Sequence, residues 1–263
     1  MVKLKQNKKG HMFAIGLVIV TLVVCSVVLY SFTQSSKPIK ASMTSPLALQ
    51  ELYNKEANFN FYAKESAKLA EQQAVFEVSG KGGASGQLCT SYNANHVLWD
   101  DNCNPVLSVD ELFRKYFNLT FEKFLSEYAE INANFSISIA DRKVDIKSER
   151  VAVKGYSDGI LSYSAEYSFD PSFSYGMEIG PKEFKDIYEL VYKKLAECRD
   201  KKDIPITSCM NQIQPDRWNI VVSSEMVGNR YYLIFDMTTK KRFYFDDNGA
   251  KWQQVSLKFA IAI

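Results

Sequence analysis

Residues 12–32 run from Met12 to Phe32 without a charge and follow Lys3, Lys5, Lys8 and Lys9. At about 1.5 Å per helical residue, such a run matches the roughly 30 Å hydrocarbon core of a bilayer. A helix is the form a single span takes, because it satisfies its own backbone hydrogen bonds. The spacing predicts a basic cytoplasmic tail over 1–11 and a transmembrane helix over 12–32. By the positive-inside rule everything beyond Phe32 lies outside, with Tyr30 and Phe32 at the interface. A cleaved leader has a shorter apolar region and a small-x-small site, and Leu29 to Gln34 offers no such pattern. A lipid-modified Cys25 would need small residues before it, where Leu22, Val23 and Val24 stand.

The four cysteines beyond that run form two close pairs, Cys89 with Cys103 and Cys198 with Cys209. An even count in an exported domain points to disulfides, and of the three connectivities the nearest-neighbour one closes two local loops. Loops of this size are stabilised by roughly 3 kcal/mol in the chain-entropy model. Zinc knuckles use Cys-x2–4-Cys spacing, which is absent, so no metal site is expected. Charge is balanced, 32 basic residues against 30 acidic, which gives no electrostatic case for a nucleic-acid partner. The 17 Phe and 15 Tyr supply enough apolar area for a core and exclude a disordered stalk.

Residues 33–45 are polar and contain Pro38, which suits a linker. Ser45-Pro46 then makes a helix start. Leu49, Leu52, Phe59, Ala63, Ala67, Ala70 and Ala74 recur at helical spacing, predicting a long helix over about 46–77. Its apolar face suits packing on its own domain, or self-association with a second copy. Gly80 to Gly86 reads as a flexible loop, since a phosphate loop would follow a strand and place its lysine later. Ser108-Val-Asp-Glu111 has the form of a capping box, opening one broken helix or two short ones through Tyr128. Alternation at Phe135–Ile139 and Val144–Lys147 predicts strands, continued by 151–153 and 160–169 around a Ser157-Asp158-Gly159 turn. Gly180-Pro181 opens a helix that points Cys198 inward. Strands are expected at 218–222, 231–235, 243–245 and 255–263, with Asn248-Gly249 as a hairpin turn. The architecture is α+β: an N-terminal transmembrane helix, then an extracytoplasmic domain over 46–263 with helices packed on a mostly antiparallel sheet.

No catalytic motif emerges. His96 is the one histidine outside, near Asp100 and Asp101 within the first cysteine loop. One titratable group falls short of a site, so it reads as an ordinary loop residue. Asp246-Asp247-Asn248-Gly249 resembles a calcium loop only in part, because Val255 occupies the glutamate position. Tyr163, Tyr167, Phe169, Phe173 and Tyr175 alternate with serines, as recognition surfaces do, and equally as a half-buried strand does. Asn118-Leu-Thr120 and Asn134-Phe-Ser136 have the form of glycosylation acceptors. No catalytic residue and no cofactor is assigned.

Lys8-Lys9-Gly10 directly before an apolar helix resembles the signal of type IV pilin-like proteins. That resemblance implies cleavage after Gly10, a mature chain starting at His11, and retention of the helix as a filament core. The chain departs from the pattern at His11, at Ile15 where many pilins carry glutamate, and at Pro38 and Pro46. The whole layout also resembles uncharacterised archaeal single-pass membrane proteins, which carry no assigned activity. Taken together, the sequence predicts a single-pass, membrane-anchored extracytoplasmic binding or surface-assembly protein with no enzymatic activity identified. Its expected partners are the bilayer through 12–32 and a protein, or a second copy, through the 46–77 helix. A pilin-like or secretion-system subunit, or an exported hydrolase with an unrecognised site, are the alternatives.

Overall fold

Apolar positions three and four apart give four labelled helices: α1 (Pro46–Gly80), α2 (Pro105–Ser126), α3 (Pro181–Arg199) and α4 (Ile206–Met210). The strands are β1 (Ser91–Tyr92), β2 (His96–Leu98), β3 (Phe135–Ala140), β4 (Lys143–Ser148), β5 (Val151–Ser157) and β6 (Tyr163–Phe169). They continue with β7 (Ser172–Gly176), β8 (Trp218–Val227), β9 (Arg230–Thr239), β10 (Phe243–Asp246), β11 (Ala250–Gln253) and β12 (Ser256–Ala262). The computed structural model describes residues 21–27, 46–86, 89–93, 95–128, 133–157, 163–201, 203–246 and 249–263.

The α+β character holds, but the expected transmembrane helix does not. No helix among the described residues is long and apolar enough to cross a membrane. The longest, α1, carries Glu51, Lys55, Glu56, Lys64, Glu65, Lys68, Glu71 and Glu77, and so fails on charge rather than on length. Of the 12–32 run only residues 21–27 are described, and they are helical. The remainder of that run, the 1–11 tail with Lys9, Gly10 and His11, and the 33–45 linker lie outside the described residues.

The chain divides into two units: residues up to 55 with 152–169, and residues 56–151 with 170–263. In the first, β5 and β6 form a two-stranded sheet, and Tyr167 meets Tyr53 edge-on with ring centres 5.5 Å apart. The predicted turn at 158–159 lies outside the described residues.

The second unit holds a five-stranded sheet in the order β1-β2-β12-β9-β8 and a three-stranded antiparallel sheet β3-β4-β7. The long sheet is antiparallel except where β12 runs parallel to β2. Period-two alternation sends Leu233, Phe235 and Met237 of β9 and Leu257, Phe259 and Ile261 of β12 into one core. Ala67, Ala70, Ala74, Val75 and Val78 of α1, and Val109, Phe113, Phe117 and Phe121 of α2, join the same core. The apolar face predicted for the long helix is therefore buried in its own chain from Phe59 onward. Alanines on that face permit the close approach that larger side chains would prevent.

Both nearest-neighbour disulfides are present, Cys89–Cys103 and Cys198–Cys209. The first closes a loop that contains the β1–β2 hairpin, and so fixes one edge of the long sheet. The second ties the end of α3 to α4, and Cys198 is buried as predicted.

Two local expectations change. The capping box at Ser108 is not used: α2 begins a turn earlier, at Asn104-Pro105, with the Asn104 side chain accepting the Leu107 N–H at 3.3 Å. A polar side chain followed by proline is the stronger start, because proline gives up no needed donor at that position. Ser108 instead accepts the Ser85 N–H through its hydroxyl. The helix then runs unbroken to Ser126.

The glycine segment is not a loose loop but the packed end of α1. Gly82 and Gly83 both take left-handed backbone (φ +65 and +73), and the Gly83 N–H returns to Val78 O. Gly82 O accepts the Trp99 indole N–H at 2.8 Å, while the Trp99 ring stacks on Phe259 with centres 3.4 Å apart. A Cβ at Gly82 would lie 2.7 Å from the Val97 Cβ. Gly82→Ala is expected to destabilise the fold by about 1–3 kcal/mol, from left-handed strain plus the clash. Chemical denaturation of the variant measures it, and an unchanged midpoint contradicts this role.

Candidate functional site

Among the described residues of the second unit, a groove of about 500 Å³ lies between α1, α2 and the β10–β11 hairpin. Its apolar lining is Leu69 from α1, Tyr116, Leu119 and Phe124 from α2, and Phe245 from β10. Glu77, Lys123 and Asp246 stand among its polar lining, with Gln73 and Thr120. Apolar walls with a few polar groups are the usual composition of a small-ligand site, and the volume falls in the usual range.

The position of the hairpin shapes this groove. The Tyr244 N–H donates to Gln72 Oε1 at 2.6 Å, and the Asp246 N–H donates to Gln73 Oε1 at 2.9 Å. Gln73 also donates through its amide nitrogen to Asp246 O at 3.3 Å and to Glu77 Oε1 at 3.1 Å. Two neighbouring glutamines on a helix thus do for β10 what a third strand would do. Phe76 stacks on Phe245 with ring centres 4.0 Å apart and fixes the same junction by apolar packing. At one end of the groove the Lys81 ammonium lies 5.6 Å from the Tyr116 ring centre.

A second polar constellation lies on the outer face of the long sheet. His96 Nε2 is 3.2 Å from Asp236 Oδ1, and Lys258 Nζ approaches the same oxygen at 3.6 Å. On that face Tyr92 O–H donates to Glu225 at 2.8 Å, joined by the Asn93 amide at 3.2 Å, and Tyr92 stacks on Tyr232. Strand order β2-β12-β9 brings His96, Lys258 and Asp236 together from three strands. The neighbours expected from sequence, Asp100 and Asp101, are not its partners here. Asp100 Oδ1 accepts the Asn102 and Cys103 N–H groups, both at 2.8 Å, and so serves the first disulfide loop.

A third group is buried. Glu71 of α1 accepts the Glu178 N–H at 2.8 Å, and Tyr175 O–H donates to Ala67 O one turn earlier. Burial pushes the Glu71 carboxyl up to about 7, against the backbone hydrogen bonds that favour its charge. The Tyr175 hydroxyl is pushed up as well, by burial and by the nearby Glu71 charge. Glu178 is itself paired with Lys241 at 2.6 Å. Nearby, buried Glu183 accepts from Arg142 at 2.5 Å and from Arg217 at 3.0 Å, which joins the β3–β4 turn and the start of β8 to α3.

Among the described residues no group of three or more His, Cys, Asp or Glu side chains is placed to hold a metal ion. Asn118 lies in mid-helix on α2 with its Oδ1 buried and without a hydrogen-bond partner, while Asn134 is exposed just before β3. The tyrosine–serine stretch serves structure: Phe169 is buried, Phe173 and Tyr175 pack on the core, and the Tyr175 hydroxyl is spent on α1. Asp246 Oδ1 accepts the Gly249 N–H as in a tight turn, and residues 247–248 lie outside the described residues. Cys25 carries a free, exposed thiol. Nothing in the local sequence flags the groove, because its walls come from segments far apart in the chain.

Comparison with protein-family models, with curated proteins and with solved structures finds no match.

Because the Glu71 carboxyl sits at about 7 when folded, against 4.5 when free, its neutral form favours the fold. This contribution is present below the free value and is lost as pH rises through 7. Glu71→Gln keeps an acceptor for the Glu178 N–H without the charge. It is expected to raise stability above pH 7 by on the order of a few kcal/mol and to flatten the pH dependence between about 4.5 and 7. Urea midpoints measured across that range test it, and a variant as pH-dependent as the parent contradicts it.

Proposed function

We propose that this protein acts outside the cytoplasm as a binding module, holding a small amphiphilic molecule in the groove between α1, α2 and the β10–β11 hairpin. The groove carries the reading. Leu69, Leu119, Phe124 and Phe245 offer an apolar bed, while carboxylates at Glu77 and Asp246 and the Lys123 ammonium lie along the same recess. That arrangement suits an apolar chain whose head group presents both charges. Leu119 in the groove wall is 63% exposed and so is free to meet a bound apolar chain.

Two disulfides support the location, since such bonds persist in oxidising compartments and are rare in a reducing cytoplasm. The reading agrees with the sequence-based expectation of a surface protein that recognises rather than transforms its partner. It does not require the membrane helix, which the described residues do not supply.

Dodecylphosphocholine below its micellar concentration serves as the probe, with dodecyltrimethylammonium and dodecyl sulfate as singly charged counterparts, all by titration calorimetry. Saturable binding, strongest for the zwitterionic probe, is expected. Leu119→Asp should weaken it by about tenfold or more, because the lost burial of one leucine is worth roughly 1.5–3 kcal/mol. Leu119 is exposed, so the variant folds. Absence of binding to all three probes, or binding indifferent to Leu119→Asp, overturns the assignment.

A further inference from the structure

The fold treats the two Asn-x-Ser/Thr sequences of the chain, Asn118-Leu-Thr120 and Asn134-Phe-Ser136, differently. Such a sequence is used only on an accessible surface. The hydroxyl two positions after the asparagine is part of the recognised acceptor, so both side chains must be reachable from one side. Helix geometry works against this at Asn118. Successive helical residues turn by about 100°, so residues two apart point to nearly opposite sides. Asn118 and Thr120 both lie within α2, and the Asn118 Oδ1 is buried.

A strand does the reverse, since residues two apart share one face. Along β3 exposure alternates: Phe135, Ile137 and Ile139 pack on the core, while Ser136 and Ser138 are exposed. The alternation extends one residue back, where Asn134 is exposed as well. Asn134 and Ser136 therefore stand on one outward face. Pairing with β4 fixes that face, with Phe135 opposite Ser148 and Ile137 opposite Ile146, and the Asn134 carbonyl accepts the Glu149 N–H at 3.4 Å. The Phe135 ring meets Phe121 at 5.4 Å and Phe59 at 6.2 Å between ring centres, which holds the residue between acceptor and hydroxyl turned inward. β3 is the outer strand of its three-stranded sheet. Beside the acceptor lies a recess of about 290 Å³, lined by Asn134 together with Phe59, Leu125 and Phe135, which leaves room for an attached sugar.

We infer that Asn134 is a modification site that carries an N-linked glycan, and that Asn118 stays unmodified. The step is a substitution at the anomeric carbon of a sugar. The donor is a sugar phosphate carried on a lipid, and a glycosyltransferase of the host catalyses the transfer. Asn134 Nδ2 forms the new bond to C1, the C1–O bond to the donor phosphate breaks, and the phosphate leaves with the bonding electron pair. One amide proton passes to water, and no oxidant or reductant takes part. The inference rests on the proposed location outside the cytoplasm, which the two disulfides support. The added bulk stands on the solvent face of β3, so the core contacts of Phe135 and Ile137 are kept.

Mass spectrometry of tryptic peptides from the full chain, purified from the cells that naturally make it, reads the modification directly. Cleavage at Lys123 places the two asparagines on separate peptides. The peptide with Asn134 should carry added sugar mass and the peptide with Asn118 none. Asn134→Gln and Ser136→Ala should each abolish that mass, while Ser136→Thr should retain it. Both positions are exposed, so these variants fold as the parent does. A membrane-impermeant amine label applied to intact cells separates this inference from the location it rests on. Labelled lysines on a chain with bare Asn134 overturn the glycan and leave the location standing, whereas unlabelled lysines with bare Asn134 overturn both. Sugar found on Asn118, or added mass that survives Asn134→Gln, also overturns the assignment.

Discussion

The second unit depends on how closely α1 can lie against the rest of the chain. Ala63, Ala67, Ala70 and Ala74 leave almost nothing between the helix backbone and its neighbours, and all four are fully buried. That closeness brings a neighbouring stripe of α1 within reach of other elements. Gln72 and Gln73 reach β10, Glu71 reaches the segment before α3, and Ala67 O receives Tyr175. A larger residue in the alanine face would push these groups out of hydrogen-bonding range and leave buried partners unpaired, at about 1–3 kcal/mol each. The helix is therefore both the packing surface and the bracket that sets the groove.

The disulfides act at the sheet edges rather than at its centre. Cys89–Cys103 encloses the β1–β2 hairpin, whose β2 pairs with β12, and so holds one edge. Cys198–Cys209 fixes α4 and hence Asn211, which covers part of the other edge at β8. A unit with the five-residue α4 and several short strands gains from such local ties, because closing each loop removes freedom from the unfolded chain.

Much of this was legible in the sequence where the signal is local. The periodic faces of 46–77 and 181–198, the alternation at 135–147, and the pairing of the four cysteines all translate into the observed elements. The α2 start departs from the sequence pattern because the capping-box form at Ser108 competes with Asn104-Pro105, and the upstream cap wins. The glycine run after α1 looked like a loop because composition cannot report that Trp99 and Val97 would pack against it. The apolar run at 12–32 satisfied every local criterion for a span, yet no described helix qualifies. His96 found Asp236, 140 positions away, rather than its sequence neighbours. The groove was invisible for the same reason: α1, α2 and β10 meet only after folding, and no short motif records that meeting.

Amide hydrogen exchange at Tyr244 and Asp246 tests the central claim most directly, that α1 holds the hairpin and thereby shapes the groove. Both N–H groups face away from β11 and donate to Gln72 and Gln73, so exchange should be as slow as global unfolding allows. In Gln72→Ala and Gln73→Ala chains the matching amide alone should exchange fast. Rapid exchange at both positions in the parent chain would mean that the glutamines do not hold the hairpin, and the groove would lose the wall on which its proposed role rests.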